Sequence, residues 1–186
     1  MRDLFGRVSE PDDERDERLA PPAEPGLDDR GARWLRRHLA AGVVAVTTVV
    51  DGLYRASTVA ACTSVSTEPP QFLISIELDS QMDEWLLRSG TFGLSILTWD
   101  QQFFADQFAG FAPLASSTFK GIDHFLSVTG APLLADAIGW ADCRIVATLE
   151  TGDHRCFIGQ AEALGAGRGS PERPLLYYRN RYRQVR

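Results

Sequence analysis

The chain has 186 residues, of which 44% are hydrophobic, so it can bury the core of one domain but has no room for two. It contains no run of 18 or more apolar residues and no signal-peptide pattern, so we expect a soluble, cytoplasmic protein that does not bind membranes. Its formal net charge of −6 is carried by residues 1–29, which hold ten acidic residues and four arginines. The neutral remainder argues against nucleic-acid binding, because proteins of that class concentrate lysine and arginine on one face.

The acidic start of the chain contains several prolines and few large apolar side chains. Such a segment cannot bury enough surface to offset the entropy that ordering it would cost. The sequence therefore predicts a disordered tail over 1–29 and a folded domain over 30–186. Cys62, Cys143 and Cys156 lack disulfide or metal-ligand spacing, so we expect free thiols and no metal site.

A short helix and a pair of strands open the predicted domain. Asp29 is a suitable N-cap for a helix over 31–41, whose apolar residues recur at helical spacing. Residues 43–50 are nearly all β-branched and predict a buried strand. Asp51-Gly52 is a typical hairpin turn, so residues 53–59 predict the partner strand.

The segment RASTVAACTSVSTEPPQFLISIEL, residues 55–78, has the composition of a binding site. Its first half is small and hydroxylated, it turns at Glu68-Pro69-Pro70, and it returns as an alternating apolar strand. The small side chains would let a flat ligand lie against the backbone, and the serines and threonines offer hydroxyls and amides to polar or phosphate oxygens. The alternative is a hairpin whose serines and threonines only reflect β-propensity.

A helix is predicted over 80–89, directly after this segment. Asp79 or Ser80 is its N-cap, and the free amides at such a helix start can hold a phosphate. Asp83 and Glu84 lie in the first turn and make an anion less favourable there.

The second half of the chain predicts more antiparallel strands around one irregular region. The predicted strands are 91–97, 140–150, 156–164, 175–178 and 182–185, with a short helix over 99–108. Residues 109–130 lack periodicity and are our candidate for a lid. The glycine-rich residues 165–170 precede no helix, so they form neither a dinucleotide fingerprint nor a P-loop. About seven or eight strands in hairpin order indicate a mainly β, antiparallel barrel with short peripheral helices.

The string TVAACTSVSTEPPQFLISI resembles the flavin reductase-like family, the FMN-binding split barrels that serve as reductase components of two-component monooxygenases. Further matches follow in the expected order, namely LLRSGTFGLSIL, QFFADQFAG, GAPLL, GDH and PLLYYRNRYR, so the resemblance covers about 40–183. It implies an antiparallel Greek-key split β-barrel that forms a homodimer. It also implies reduction of FMN or FAD by NADH or NADPH, with reduced flavin passed to a monooxygenase partner. The lack of hydrolase and metalloenzyme motifs is compatible with this activity, because a flavin carries its own reactivity.

The resemblance also assigns site residues. It places the isoalloxazine ring and ribityl chain along Thr58, Ala60, Ala61, Cys62 and Thr63, and the phosphate near Ser64, Ser66 and Ser80. Met82, Gln107 and Phe108 complete the implied cofactor-binding residues. The turn Gly152-Asp153-His154 is implied to receive the nicotinamide, with His154 as the catalytic residue beside the flavin.

Three positions depart from the family pattern. Cys62 stands where a large residue is usual, Gln107 where a basic residue is common, and Tyr178 where a histidine is common. The missing charge at Gln107 leaves the choice between FMN and FAD open, and the sequence offers Arg88, Lys120, Arg179 or Arg181 as replacements. The alternative function is a flavin- or haem-binding split barrel without reductase turnover.

The end of the chain combines aromatic and basic residues. These are Tyr177, Tyr178 and Tyr182 together with Arg179, Arg181 and Arg183. Tyrosine and arginine are enriched at buried interfaces, so the composition predicts a homodimer that uses this segment.

Overall fold

The structure, a computed structural model, describes residues 29–110, 119 and 121–185. The predicted acidic tail lies outside these residues except for Asp29, which begins the first helix. Much of the predicted lid, residues 111–118 and Lys120, also lies outside them.

Three α-helices occur in the described part of the chain: α1 (Asp29–Arg37), α2 (Gln81–Ser89) and α3 (Gln102–Phe108), the last preceded by a 3-10 turn at Trp99–Gln101. α1 is shorter than the predicted helix over 31–41, because Ala41 and Gly42 pair with a strand near the end of the chain. α2 is followed by Gly90, which is its C-cap and has the left-handed conformation (φ 68°) that suits glycine there.

Twelve strands are described: β1 (Ala41–Gly42), β2 (Val44–Val50), β3 (Leu53–Val59), β4 (Cys62–Thr67), β5 (Pro70–Glu77), β6 (Thr91–Ile96), β7 (His124–Leu126), β8 (Pro132–Leu134), β9 (Gly139–Thr151), β10 (His154–Ala166), β11 (Leu176–Tyr178) and β12 (Arg181–Arg183). Seven of them form one antiparallel sheet in the order β3-β2-β6-β9-β10-β5-β4. A three-stranded sheet, β1-β11-β12, and the hairpin β7-β8 lie beside it. The prediction of a mainly β, antiparallel fold is confirmed. The prediction that 109–130 is irregular was wrong for β7, since a three-residue strand is too short to show periodicity.

The two edge strands of the large sheet, β3 and β4, are consecutive in the chain and only Ala60 and Ala61 separate them. A two-residue link cannot span a flat seven-stranded sheet, whose strands are about 4.8 Å apart. The sheet must therefore curl until its edges approach each other at Ala60-Ala61. No ladder joins β3 to β4 among the described residues, so the sheet remains open along this seam.

Residues on opposite sides of β2 enter two separate core clusters, because successive residues of a strand face opposite ways. Val44 and Val46 pack with buried residues that include Phe92 and Phe157. On the other side, Ala45 packs with Val43, Ala105, Leu134, Leu175 and Tyr177, among others. The second cluster thus joins the sheet to α3 and to the end of the chain.

The C-terminal tyrosines belong largely to this second cluster. Tyr177 is only 9% exposed, and the ring of Tyr182 lies 5.8 Å from that of Tyr177 in an edge-on arrangement. Burial raises the pKa of the Tyr182 phenol, and the nearby Asp106 carboxylate adds to this effect. Tyr177, and in part Tyr182, therefore contribute to the core of the subunit, and the predicted homodimer stays a prediction.

Candidate cofactor-binding site

A cleft of about 800 Å³ opens at the seam of the sheet, within the size range usual for small-molecule sites. It is lined by β3, β5, the start of α2, the end of α3 and the turn between β9 and β10, and Arg36 near the end of α1 also borders it. Nine predicted site residues line it: Thr58, Ala60, Ala61, Ser80, Met82, Gln107, Phe108, Asp153 and His154. Five others do not line it: Cys62, Thr63, Ser64, Ser66 and Gly152.

The β3 side of the cleft carries small side chains, as the sequence predicted. Ala56, Ser57, Ala60 and Ala61 line it and leave room for a flat ring against the strand. Thr58 is also there, but its hydroxyl donates to the carbonyl oxygen of Ala105 at 2.6 Å and the residue is only 9% exposed. Its side chain therefore ties β3 to α3, and the backbone of Thr58 is what remains for a ligand.

The start of α2 forms the next wall. The Ser80 hydroxyl accepts a hydrogen bond from the Asp83 amide at 3.2 Å, which makes Ser80 the N-cap. Ser80 and Gln81 border the cleft, and so does Met82, although Met82 is 5% exposed and belongs mainly to the first core cluster.

Asp83, in the first turn of α2, is less of an obstacle to an anion than the sequence indicated. Asp83 is buried, and its carboxylate accepts from Nε of Arg155 at 2.7 Å. Arg155 also pairs with Glu150 at 2.6 Å, and the hydrogen bond to Asp83, followed by that to Glu150, raises the pKa of the guanidinium. The charge of Asp83 is thus compensated by an arginine that does not line the cleft.

The end of α3 supplies Gln107 and Phe108 to the opposite side. Phe108 is 7% exposed and stacks on Phe119 with ring centroids 5.5 Å apart, so it is mainly a core residue with one edge at the cleft. Gln107 offers a neutral amide. The end of α3 therefore carries no charged side chain toward the cleft.

His154 lies at the first position of β10, after a tight turn that Gly152 allows by its positive φ of 59°. Its Nδ1 lies 2.6 Å from the Asp153 carboxylate, and its side chain is 28% exposed. This hydrogen bond is the main cause of the lowered pKa of Asp153. The Asp153 carbonyl also accepts from the Leu78 amide at 2.9 Å, which fixes the turn to the loop before α2. Asp153 and His154 are therefore held at the rim of the cleft.

The predicted residues on β4 lie elsewhere. Cys62 packs against the first core cluster, and burial raises the pKa of its thiol to about 11. Thr63 and Ser64 are exposed and Ser66 is half-buried. β4 leaves Ala60-Ala61 along the other edge of the sheet, which carries these hydroxyls away from the cleft.

Two residues that the sequence did not single out are prominent in the cleft. The guanidinium carbon of Arg55 lies 4.6 Å from the centre of the Trp85 ring, and both side chains line the cleft. The Arg55 Nε is buried and has no hydrogen-bond partner within the described residues. Arg55 begins the segment that indicated a binding site, so its position was available as a signal, whereas the contact with Trp85 was not.

Two observations indicate that the residues of the cleft fit a flavin. The small residues of β3 leave a flat wall for the ring, and the orphaned Nε of Arg55 is a donor that an anionic oxygen would satisfy.

No group of three or more His, Cys, Asp or Glu residues in the described part of the chain is arranged to hold a metal ion. Among the same residues, no helix is long and apolar enough to cross a membrane.

Comparison with known proteins agrees with this geometry. Residues 35–186 match the model of the flavin reductase like domain family. The chain is 34% identical over 170 residues to an NADH-dependent FAD reductase of Streptomyces globisporus, covering 89% of this chain and 92% of that protein. It is 32% identical over 161 residues to the reductase component of a 4-nitrophenol 4-monooxygenase/4-nitrocatechol 2-monooxygenase of Rhodococcus opacus, covering 84% and 80% of the two chains.

Solved structures give the same result. The NADH:FAD oxidoreductase SgcE6 of Streptomyces globisporus C-1027, in complex with NAD and FAD fragments, superposes with a TM-score of 0.75 at 30% identity, over 88% of this chain and 98% of that one. The protein described here belongs to the flavin reductase-like domain family, and the family predicted from the sequence is confirmed.

Proposed function

We propose that this protein is an NADH-dependent flavin reductase that acts on FMN or FAD. The observation that carries the proposal is the position of the segment by which the chain resembles the family. Its small residues from Ala56 to Ala61 form one wall of a ligand-sized cleft, and His154 lies at the rim of the same cleft. The relatives named above as NADH-dependent support NADH as the reductant.

A bound flavin would supply the redox chemistry, which is acceptance of a hydride from a reduced nicotinamide. The residues of this chain bind and orient. The β3 backbone and the small side chains at Ala60 and Ala61 receive the flat ring. His154 lies at the rim of the cleft, the side from which the nicotinamide would approach. With its Nδ1 held by Asp153, the Nε2 of His154 is the nitrogen left to hydrogen-bond a ligand.

On this proposal, the curled sheet is the Greek-key split β-barrel of the family. Residues 30–186 form the domain that binds flavin. Support for the split barrel comes from the two-residue link between the edge strands, which leaves a seam at Ala60-Ala61. The cleft lies at that seam, so the open edge of the barrel is the ligand site.

Reduced flavin is handed to a separate monooxygenase on this proposal. The support is the similarity to the Rhodococcus opacus protein, which is the reductase component of a monooxygenase. A cleft that opens at the seam of the sheet suits a carrier that must release its product.

The protein is also proposed to be a homodimer, with an interface at the β9-β10 hairpin. Both faces of β9 are exposed from Val146 to Thr151, and the exposed apolar residues include Val146 (50%), Leu149 (64%) and Leu164 (53%). A long hairpin with apolar residues exposed on it is typical of a surface that a partner covers.

The test of the activity is spectroscopic. Purified protein mixed with FMN or FAD and NADH should oxidise NADH, seen as a loss of absorbance at about 340 nm, the band of the reduced nicotinamide. NADPH in place of NADH measures the choice of reductant. Flavin that co-purifies stoichiometrically but is not reduced by either nicotinamide would indicate the alternative, a binding protein without turnover. No oxidation above the blank with any pair would contradict the reductase function.

A further inference from the structure

Arg55 is a cation in the cleft that the structure leaves without a counterion among the described residues. Its guanidinium lies over the Trp85 ring at 4.6 Å, and its buried Nε has no hydrogen-bond partner there. A flat aromatic ring can hold a guanidinium in place but gives its N–H groups no acceptor. A buried donor without an acceptor is costly, so this arrangement favours an incoming anion.

Neighbouring arginines are already engaged. Arg88 lies on α2, three residues after Trp85, and donates to both carboxylate oxygens of Asp51, at 3.0 and 2.9 Å. Arg155 pairs with Asp83 and Glu150, as described above. Arg88 and Arg155 are therefore neutralised by carboxylates and lie outside the cleft. Arg36 of α1 lines the cleft together with Arg55, and its charge contributes to the lowered pKa of the Asp153 carboxylate at the rim.

The location of Arg55 on β3 indicates which part of a ligand it meets. Arg55 precedes the small residues that form the wall for the flat ring, and about 10 Å of extended strand separates it from Thr58. A ribityl chain running along β3 would bring its terminal phosphate toward Arg55. His154, by contrast, belongs to the turn between β9 and β10 and approaches the cleft from a different element.

We infer that Arg55, held by Trp85, is the phosphate-binding residue for the flavin and gives the protein a preference for FMN and FAD over riboflavin. This inference rests on the proposed function. Guanidinium groups bind phosphate oxygens through charge-assisted, often bidentate hydrogen bonds, and the buried Nε of Arg55 has no acceptor among the described residues. Gln107, on the opposite wall, is neutral and cannot supply this charge.

The experiment measures equilibrium dissociation constants of FMN and riboflavin by flavin fluorescence, without nicotinamide. We expect the wild-type protein to bind FMN more tightly than riboflavin. Arg55→Gln should weaken FMN binding about 10- to 100-fold, the range typical for loss of a charge-assisted hydrogen bond, and leave riboflavin within about twofold. Arg55→Lys keeps the charge and should retain most of the preference for FMN. Arg88→Gln, which removes an arginine of the same region outside the cleft, should change neither constant.

Several results would overturn the inference. Equal weakening of FMN and riboflavin by Arg55→Gln would show loss of the fold or of the ring site, and an unchanged FMN constant would show that another residue binds the phosphate. If a separate steady-state assay of Arg55→Gln showed a raised KM for NADH while the FMN dissociation constant was unchanged, Arg55 would be assigned to the pyrophosphate of the nicotinamide dinucleotide. In each case wild-type turnover of NADH with flavin would leave the proposed function intact. A wild-type protein that binds no flavin would overturn both.

Discussion

Hydrogen bonding determines how His154 can act. Its Nδ1 is engaged by the exposed Asp153 carboxylate at 2.6 Å, and the Asp153 backbone is tied to Leu78. The imidazole is therefore oriented by its neighbour in sequence, without being buried, and its other nitrogen is available to a ligand at the rim. This arrangement suits a residue that receives the nicotinamide and makes few contacts with a flavin along β3.

The first prediction concerns this residue. His154→Ala should slow reduction of the flavin by NADH about threefold to tenfold, because one hydrogen bond contributes roughly 0.5–1.5 kcal/mol. The flavin dissociation constant should change less than twofold. Stopped-flow reduction of flavin-loaded protein measures both effects. His38→Ala is the matched control, since His38 does not line the cleft and its imidazole Nδ1 lies 2.7 Å from the Trp34 carbonyl oxygen. Identical kinetics for the His154 variant and wild type would remove His154 from the nicotinamide site.

Cys62 gives a second prediction at the residue scale. Burial raises the pKa of its thiol to about 11, and that of Cys143, with added repulsion from Asp142 and Cys62, to about 12. Only the thiolate is nucleophilic, so neither residue should be alkylated by iodoacetamide in native protein at pH 8, whereas both should react in urea. Mass spectrometry of the labelled peptides measures this. If Cys62 were instead labelled in the native protein, and if FMN prevented that labelling, Cys62 would lie at the flavin, as the sequence predicted.

Packing between elements limits what the long hairpin can tolerate. Gly159 lies at an irregularity in the pairing of β10 with β9, where the register shifts between Ile158 and Gly159. A Cβ added to Gly159 would lie 2.4 Å from two atoms of the Phe92 ring and 2.8 Å from the Cys143 Cβ. Phe92 is fully buried in the first core cluster, so its ring can move aside only by displacing other packed side chains.

The third prediction follows from this contact. Gly159→Ala should lower the free energy of unfolding by about 1–3 kcal/mol, the usual cost of overpacking a core. Gly42→Ala is the control, because a Cβ at Gly42 meets nothing within 4 Å and its φ is not in the left-handed region. That variant should stay within about 0.5 kcal/mol of wild type. Urea titration followed by circular dichroism compares them, and equal stability of the two variants would contradict the packing argument.

Local signals in the sequence were sufficient for several elements. Asp51-Gly52 predicts a hairpin turn, and both residues have positive φ (54° and 73°) between β2 and β3. Ser80 predicts the start of α2, and its side chain caps that helix. These features depend on neighbouring residues only, which is why the chemistry of a few positions identifies them.

Other features depend on contacts between distant parts of the chain. The phosphate-binding role implied for Ser64 and Ser66 requires knowing which face of β4 meets the cleft, and β4 pairs with β5 through a register shift between these two residues. The pairing of Asp83 with Arg155 joins residues 72 positions apart, and Arg55 meets Trp85 only because α2 packs beside β3. Composition could indicate that a site exists near β3, but it could not select the side chains that face it.

At the scale of the whole molecule, the β9-β10 hairpin carries apolar side chains that a single subunit leaves exposed. From Val146 to Thr151, β9 is exposed on both faces, although its pairing with β10 continues through to Thr151. Leu149 is 64% exposed, and the turn that carries His154 begins directly after Thr151. A partner subunit that covers the hairpin would therefore lie close to the rim of the cleft.

The last prediction tests this surface. Light scattering at micromolar concentration should give a mass of twice that of the chain. Leu149→Glu should shift the protein toward the monomer, because a charge buried at an apolar contact loses its hydration without gaining a partner. Leu126→Glu, which changes an exposed leucine (51%) on β7 outside the hairpin, is the matched control and should remain dimeric. If both variants keep the dimer, its interface lies elsewhere on the subunit. If the wild-type protein itself is monomeric, the exposed valine and two leucines of the hairpin are free surface and the cleft is complete within one chain.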